Sequence, residues 1–384
     1  MNFEFTEEQR QFGETVARYL ADHYGFEDRK RIVRSDGVAS RAVWQQLADL
    51  GVLAIPFSEV AGGFGGGTVD MINAMQSFGA ALVVEPVLAT LVGGRAIDLA
   101  GTPAQREAWL APVTRGQAKL ALACTEKATR YHLERVATTA VRTDRGWRLD
   151  GRKCAILGAP SADALVVLAR TAGQPGDHAG LALFYVPCTA AGVTMTPSRT
   201  FDNQRAADVR FSGVELDLQA MLGSPAETLS CVEAAQDFGI ALLCSEAVGA
   251  MQYALDATVE YLKTRRQFGQ PIGSFQALQH RAAQMFIVVE LTRSMSYLAC
   301  SKVDGAPDPV ERAHVVSAAK IMVADAARLL SQDSVQLHGG MGLTEELKIS
   351  HTFRRLTMIA QELGDADFHL QRFARLDTRL EPVN

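Results

Sequence analysis

The spacing of apolar residues changes twice along this chain, and that double change restricts the fold more than any single motif. Up to about residue 115 the spacing is helical. Thr6-Glu7-Glu8-Gln9 is a capping box, and Phe12, Val16 and Leu20 follow it at spacing four. Trp44, Leu47, Leu50 and Leu53 mark a second apolar face that ends before Pro56, and helical patterning resumes from Val69 to about Arg115. Between them, Gly62-Gly63-Phe64-Gly65-Gly66-Gly67 is a loop. It lacks the following Lys-Ser/Thr and the preceding strand of a phosphate-binding loop, so it reads as a helix connector.

Near Lys119 the texture turns to short β-branched and alternating runs. Strands are expected at 136–141, 147–149, 154–157, 164–168, 181–186, 209–211 and 214–216. Asp150-Gly151 stands between two of them as a hairpin-turn signal. This part reads as a small antiparallel barrel or sandwich. From about Ala226 the patterning is helical again, in segments 236–264, 275–303, 309–336 and 346–375. Asp308-Pro309-Val310-Glu311 supplies an N-cap, a first-turn proline and an acidic residue to one of them. Four long helices with short links predict an antiparallel four-helix bundle. The expected fold is therefore α+β, with an all-helical domain over 1–118, a β domain over 119–223 and a helical bundle over 224–384.

Composition narrows the function classes. With 48% hydrophobic and 21% charged residues the 384-residue chain reads as soluble and globular. A net charge of −5 gives no reason to expect nucleic acid or an anionic membrane. No uninterrupted apolar run approaches the ~18 residues of a membrane span. The N-terminus lacks a basic-then-apolar signal pattern. None of the six cysteines sits in a Cys-x-x-Cys pair, so free thiols in the cytoplasm and no metal site are expected.

Two loops of the rear part carry the chemistry. Tyr261-Leu262-Lys263-Thr264-Arg265-Arg266-Gln267-Phe268-Gly269-Gln270-Pro271-Ile272-Gly273-Ser274-Phe275-Gln276 sets cations beside aromatic and amide side chains. That set suits a phosphate and a flat ring system, and equally a basic helix end stabilised by the helix dipole. Gln336-Leu337-His338-Gly339-Gly340-Met341-Gly342 breaks a helical pattern with glycines that admit close backbone approach. Beyond it, Glu362-Leu363-Gly364-Asp365-Ala366-Asp367 clusters carboxylates around a second break. A close-approach loop followed by carboxylates suggests a cofactor face and a general base; a helix C-cap with a solvated acidic turn fits the same residues.

Together, the pattern Arg-x-Gln-Phe-Gly-x-Pro-Ile-x-x-Phe-Gln and the later Gln-x-His-Gly-Gly-x-Gly-x-Thr-Glu-Glu resemble the flavin-dependent acyl-CoA dehydrogenase family. The resemblance covers the whole chain. Its wording around Arg354-Arg355 and Gly364 looks like the small subunits of two-subunit members such as pimeloyl-CoA dehydrogenase, and like steroid side-chain members. It implies FAD as cofactor, an acyl-CoA as substrate, an electron-transfer flavoprotein as electron acceptor, and a homo- or hetero-tetramer. Residue by residue it implies that Arg265, Phe268, Gln276, Gln336, Gly339 and Gly340 contact FAD across a protomer boundary. Thr125 is implied to hydrogen-bond the flavin ring.

The chain also departs from that pattern. The family's usual base is the Glu of a Tyr-Glu-Gly-Thr segment, and here Leu363 occupies that slot. Glu362 stands one residue early and is taken as the base, with Asp365 as an alternative. The family's other base position, near Ile240, is not acidic; Glu246 is the nearest acid further along and reads more simply as an interior polar residue. Ala155 and Leu157 replace residues that often flank the flavin, and 126–131 replaces a glycine-rich loop. Arg130-Tyr131-His132 is a candidate lining of the acyl cleft. His338 reads as structural. Arg354 and Arg355 read as salt-bridge partners across the bundle, or else as ligands of CoA phosphate or an acyl carboxylate.

Overall fold

The computed structural model describes residues 4–35, 39–305 and 308–377. Six helices come first: α1 (Glu7–His23), α2 (Phe26–Arg34), α3 (Arg41–Asp49), α4 (Thr68–Ala81), α5 (Val87–Ala100) and α6 (Pro103–Thr114). Strands follow: β1 (Leu120–Ala123), β2 (Thr139–Arg142), β3 (Gly146–Leu157), β4 (Ala164–Arg170), β5 (Leu181–Pro187), β6 (Val193–Arg199), β7 (Arg205–Asp217) and β8 (Met221–Leu222). Helix α7 (Thr228–Thr264) leads into a two-stranded ribbon, β9 (Arg266–Gln267) and β10 (Gln270–Pro271). Helices α8 (Gln276–Gly305), α9 (Pro309–His338), α10 (Lys348–Ile359) and α11 (Ala366–Asp377) complete the chain. The order helix, strand, helix is the α+β class expected. Contacts divide it into two compact units.

The first unit comprises 1–31, 68–83 and 240–384. The Thr6–Gln9 capping box closes in both directions at the start of α1. Asp308 caps α9, its side chain accepting from Val310 N at 2.9 Å. Small residues let the helices touch. A Cβ at Gly79 would lie 1.8 Å from the Glu246 carbonyl oxygen, and one at Gly249 1.8 Å from that of Gln76. Ser245 and Cys300 sit in this dry interior, with the Ser245 and Ser296 hydroxyls 2.9 Å apart. Among the described residues α7 is long and apolar enough to cross a membrane, but 89% of its most apolar window is buried inside the protein. It is a core helix.

The fourth member of the rear bundle is not one helix over 346–375. It breaks between α10 and α11, where Leu363 has φ +57° and Gly364 φ +118°. Gly364 is doubly required: a Cβ there would also meet His369 Nε2 at 2.3 Å. The break is pinned from two sides. Lys320, fully buried, donates to the carbonyls of Ile359 and Gly364 at 2.8 Å each. His369, also fully buried, donates from Nε2 to the Leu363 carbonyl at 3.0 Å.

The second unit comprises 32–67 and 84–239. Its eight strands form one sheet in the order β6-β7-β3-β2-β4-β5-β8, with β1 paired to β4. The antiparallel expectation needs correction, because β1 and β2 both run parallel to β4. Asp150-Gly151 is not a hairpin turn either. Strand β3 continues through it with a bulge, and the turn into β3 lies at 143–146. Gly151, at φ +150°, is there because a Cβ would strike Thr138 at 2.6 to 2.7 Å, while Asp150 Oδ1 accepts from Gly213 N. Likewise 209–211 and 214–216 belong to one strand, β7. Trp147, Leu149, Leu165, Val167, Phe184 and Phe211 fill the core on this sheet.

The loop at 62–67 is a connector, as expected. The amides of Gly65 and Gly66 are taken up by the carbonyls of Phe57 and Ile55 at 2.8 Å, leaving those donors for no phosphate.

Candidate functional site

Helix α7 ends at Thr264, and the chain reverses through β9 and β10 on a two-residue turn. Phe268 has φ +53° and Gly269 φ +79°, the pairing of a type I′ hairpin. A bulky residue at positive φ carries a backbone cost of about 1 kcal/mol or more. Its ring is nevertheless 89% exposed, touching Phe275 edge-on at 6.0 Å. The turn holds an aromatic face outward at the expense of local stability.

The second loop follows α9. Gly339 lies at φ +61°, which accounts for glycine there. Gly340 has no such conformational reason and no protein atom within 4 Å of a would-be Cβ, whereas a Cβ at Gly342 would collide with the Val335 carbonyl. Packing within the chain therefore explains Gly342 but not Gly340. The bare backbone at Gly340 is open to something else.

These two loops, about 70 residues apart in sequence, come together. A groove of about 550 Å³ is lined by Tyr261, Arg265, Gln267, Arg281 and the run from Gln336 to Met341. Neither the Arg265 guanidinium nor the Gln336 amide has a partner among the described residues. Arg281 is ion-paired with Asp333. His338 is structural, as expected: it stacks on Tyr261 at 4.5 Å and bonds the Ser334 carbonyl through Nδ1 at 2.8 Å. Burial lowers its pKa, which keeps it neutral. Phe268 and Gln276 lie outside the lining, on the adjoining turn and at the start of α8. A cation and amides without partners among the described residues, beside an uncovered glycine backbone, suit an anionic nucleotide.

Arg281 is not singled out from sequence, and Tyr261 and Gln267 fall inside the informative stretch without a role of their own. The helical spacing of Tyr261 and Arg265 is the one signal that could have placed Tyr261 beside the cation.

In the second unit Thr125 is exposed at the end of β1, and its hydroxyl has no partner among the described residues. Its carbonyl accepts from Cys154 N at 2.9 Å. Beneath it lies a buried ion pair, Lys153 Nζ to Glu126 Oε1 at 2.7 Å. Glu126 also accepts from the amides of Ala137 and Thr138. Burial opposes the Glu126 charge most, yet the Lys153 ammonium and these donors hold the carboxyl below its usual range. Residues 126–131 thus form a charged loop anchored through Glu126, in place of the glycine-rich loop of the family pattern. Ala155, at φ +52°, is exposed on a bulge of β3 and donates its amide to Asp208. His132 pairs with Glu134 at 3.2 Å, and Arg130 stacks on Tyr131.

The candidate bases are brought together in the first unit. Arg355 on α10 forks onto Glu246 of α7, Nε–Oε1 2.6 Å and Nη2–Oε2 3.0 Å. Its Nη1 reaches Glu362 Oε2 at 3.0 Å. All three side chains are at most 10% exposed. Arg354 pairs with Glu345 at 2.9 Å. The salt-bridge reading of the two arginines is the one the structure shows. Asp365 instead caps α11, accepting from Phe368 N at 2.9 Å.

The family models for the acyl-CoA dehydrogenase N-terminal, middle and C-terminal domains match residues 6–117, 121–214 and 233–376. The chain belongs to the acyl-CoA dehydrogenase family, oxidoreductases that act on a CH–CH group. It is similar to acyl-CoA dehydrogenase FadE12 of Mycobacterium tuberculosis, at 30% identity over 92% of each chain. It is similar also to the caffeyl-CoA reductase-Etf complex subunit CarC of Acetobacterium woodii, at 29% over 84% of this chain and 86% of that one. In fold it matches the ChsE4-ChsE5 complex of Mycobacterium tuberculosis, with a TM-score of 0.88, 25% identity and full coverage of both chains.

Proposed function

We propose that this chain is an FAD-dependent acyl-CoA dehydrogenase subunit that removes the α- and β-hydrogens of an acyl-CoA to give the trans-2-enoyl-CoA. The observation that carries it is the meeting of the Arg265 turn and the Gly339-Gly340 loop in one groove, in a chain of this family. Arg265 would hold the diphosphate. Phe268 and Gln276 would meet the adenosine, and Gln336 with the two glycines would let backbone lie against the nucleotide. Those residues would serve the FAD of a neighbouring protomer, and Thr125 would offer its hydroxyl to a flavin ring on the second unit. When bound, FAD supplies the two-electron acceptor that takes the β-hydrogen.

The chain's own task is the proton. A thioester α-proton is weakly acidic, so a carboxylate must take it while hydrogen bonds stabilise the enolate-like charge. We assign the carboxylate to Glu362. Proton uptake by Glu362 would remove the charge, though not the acceptor oxygen, of its ion pair with Arg355. Asp365 and Glu246 are engaged otherwise, as helix cap and as the fork on Arg355. Electrons would pass to an electron-transfer flavoprotein, which the CarC relative's complex membership supports. The site of action would be the cytoplasm, with 1–118, 119–223 and 224–384 as the working domains.

One observation favours a second reading. Leu363 fills the family's base slot, and both nearby carboxylates are held by one guanidinium. The chain would then complete the FAD site of a partner subunit without doing chemistry itself, within a tetramer; similarity to the two-component ChsE4-ChsE5 complex supports this. Purification alone and with candidate partners separates the two. Yellow protein whose flavin absorbance bleaches with one of a panel of acyl-CoA thioesters, and no longer does so after Glu362→Gln, supports the enzyme. Colourless protein that acquires flavin only with a partner supports the completing subunit. Full activity of E362Q removes Glu362 from the mechanism.

A further inference from the structure

A lone carboxylate on a buried arginine is poorly placed to accept a proton, because neutralising it leaves the cation bare in a dry interior. Arg355 does not face one carboxylate but two. Glu246 takes Nε and Nη2, and Glu362 takes Nη1 at 3.0 Å. The unequal sharing matters. Arg355 is already oriented and charge-balanced by Glu246, so Glu362 is the member that can leave.

We propose that Glu246 is a positioning residue: by holding and neutralising Arg355 it lets Glu362 take up a proton during turnover without stranding a buried guanidinium. This rests on the assignment of Glu362 as the base. The charge accounting is direct. With Arg355, Glu246 and Glu362 all ionised the cluster carries one negative charge. When the proton moves from the substrate α-carbon to a Glu362 oxygen, the cluster becomes neutral, with the Arg355–Glu246 pair intact. Without Glu246 the same transfer would take from Arg355 the carboxylate charge that Glu362 supplies.

Other charged groups surround the cluster. Lys320 of α9 faces Glu362, Asp365 and Arg355, and Cys244 of α7 faces Lys320. His369 of α11 faces Lys320 in turn. The Lys320 ammonium is directed at the carbonyls of Ile359, Ala360 and Gly364, so it braces the backbone that carries Glu362. Burial lowers its pKa to about 8, so it stays largely charged at neutral pH.

The test needs no substrate. Infrared difference spectra of the flavin-loaded protein over pH report the carboxyl band of protonated Glu362, identified by its loss in E362Q. In Glu246→Gln the like charge is gone, and the Arg355 charge then favours ionised Glu362 more strongly. The midpoint should fall by at least one pH unit, a tenfold loss of proton affinity. Glu246→Asp keeps the charge and should restore it to within about 0.3 unit. A midpoint that moves less than 0.3 unit in E246Q overturns the proposal. Where E246Q gives no folded protein, the step from Arg355→Gln to the R355Q/E246Q double variant reads the same influence, and an unmoved midpoint across it is equally fatal. If E362Q still bleaches flavin with acyl-CoA thioesters, the base assignment fails, whatever the midpoints do. If E362Q is inactive and E246Q unmoved, only the present inference fails.

Discussion

The Nζ atom of Lys320 donates to the carbonyl oxygen of Gly364 across 2.8 Å, and the same ammonium reaches the Ile359 carbonyl at an equal distance. One buried cation therefore closes the C-terminal end of α10 and the turn after it, where carbonyls would otherwise face a dry interior. Lys320→Met should cost about 2–4 kcal/mol of stability, from orphaned carbonyls offset in part by a cheaper apolar side chain. Urea unfolding measures it. A loss below about 0.5 kcal/mol would mean that the break holds itself.

The histidines around that break set an acid limit. Burial, with the Lys320 ammonium second, pushes His369 down to about 3, and burial with Arg29 pushes His351 down to about 4. Both are neutral when folded, while an unfolded histidine titrates near 6.5. The unfolded state therefore binds more protons below pH 6.5, and stability falls as pH drops from about 6.5 toward 4. Each histidine contributes a limiting slope of about 1.4 kcal/mol per pH unit. His369→Gln should remove roughly one proton from that slope, read from unfolding curves between pH 4 and 7.

Gly340→Ala separates fold from ligand. The protein has space for the methyl group, so the melting temperature of the flavin-free chain should change by no more than about 2 °C. Retention of FAD should nevertheless fall at least about tenfold, the 1.4 kcal/mol expected when a close backbone approach is blocked. Arg265→Gln should weaken retention similarly without affecting stability, since its guanidinium has no hydrogen bond or ion pair among the described residues. Equilibrium dialysis with FAD measures both, in whichever assembly holds the flavin.

The pair beneath Thr125 answers to a different logic. Lys153→Met leaves Glu126 buried with its cation gone, and should cost about 3–5 kcal/mol. The double variant Lys153→Met with Glu126→Gln should recover part of that loss, because the carboxamide oxygen can still accept one of the backbone amides now bonded to Glu126. A double-mutant cycle by chemical denaturation gives the coupling.

Much of the architecture was readable because it rests on local chemistry. The Thr6–Gln9 box, the Asp308 cap with Pro309 and the switch from spacing four to alternation each declare themselves within a few residues. The Asp150-Gly151 turn failed for a tertiary reason. Its glycine answers to Thr138 on a neighbouring segment and not to a reversal of the chain, and no local window contains that neighbour. The break at 360–365 was similarly hidden, since the groups that pin it, Lys320 and His369, lie on other helices. At the candidate site the paired motifs name Arg265, Gln336, Gly339 and Gly340, which line one groove, while Arg355's sharing between Glu246 and Glu362 is not legible from them. Glu246 stands 109 residues from Arg355, a separation that a reading of spacing and pattern does not bridge.

Helix α7 has a consequence during synthesis. It is 37 residues long and its most apolar stretch is 89% covered; in the first unit α4 is already made when it emerges, but α8 and α10, which also cover it, are made after it. As the chain leaves the ribosome N-terminus first, α7 emerges with much of its greasy surface wet and waits for about a hundred more residues to be translated. Chains stopped shortly after residue 270 should therefore bind chaperones or precipitate, while full-length chains do not; comparing the two in cell-free translation, by sedimentation of the released products, would reveal it.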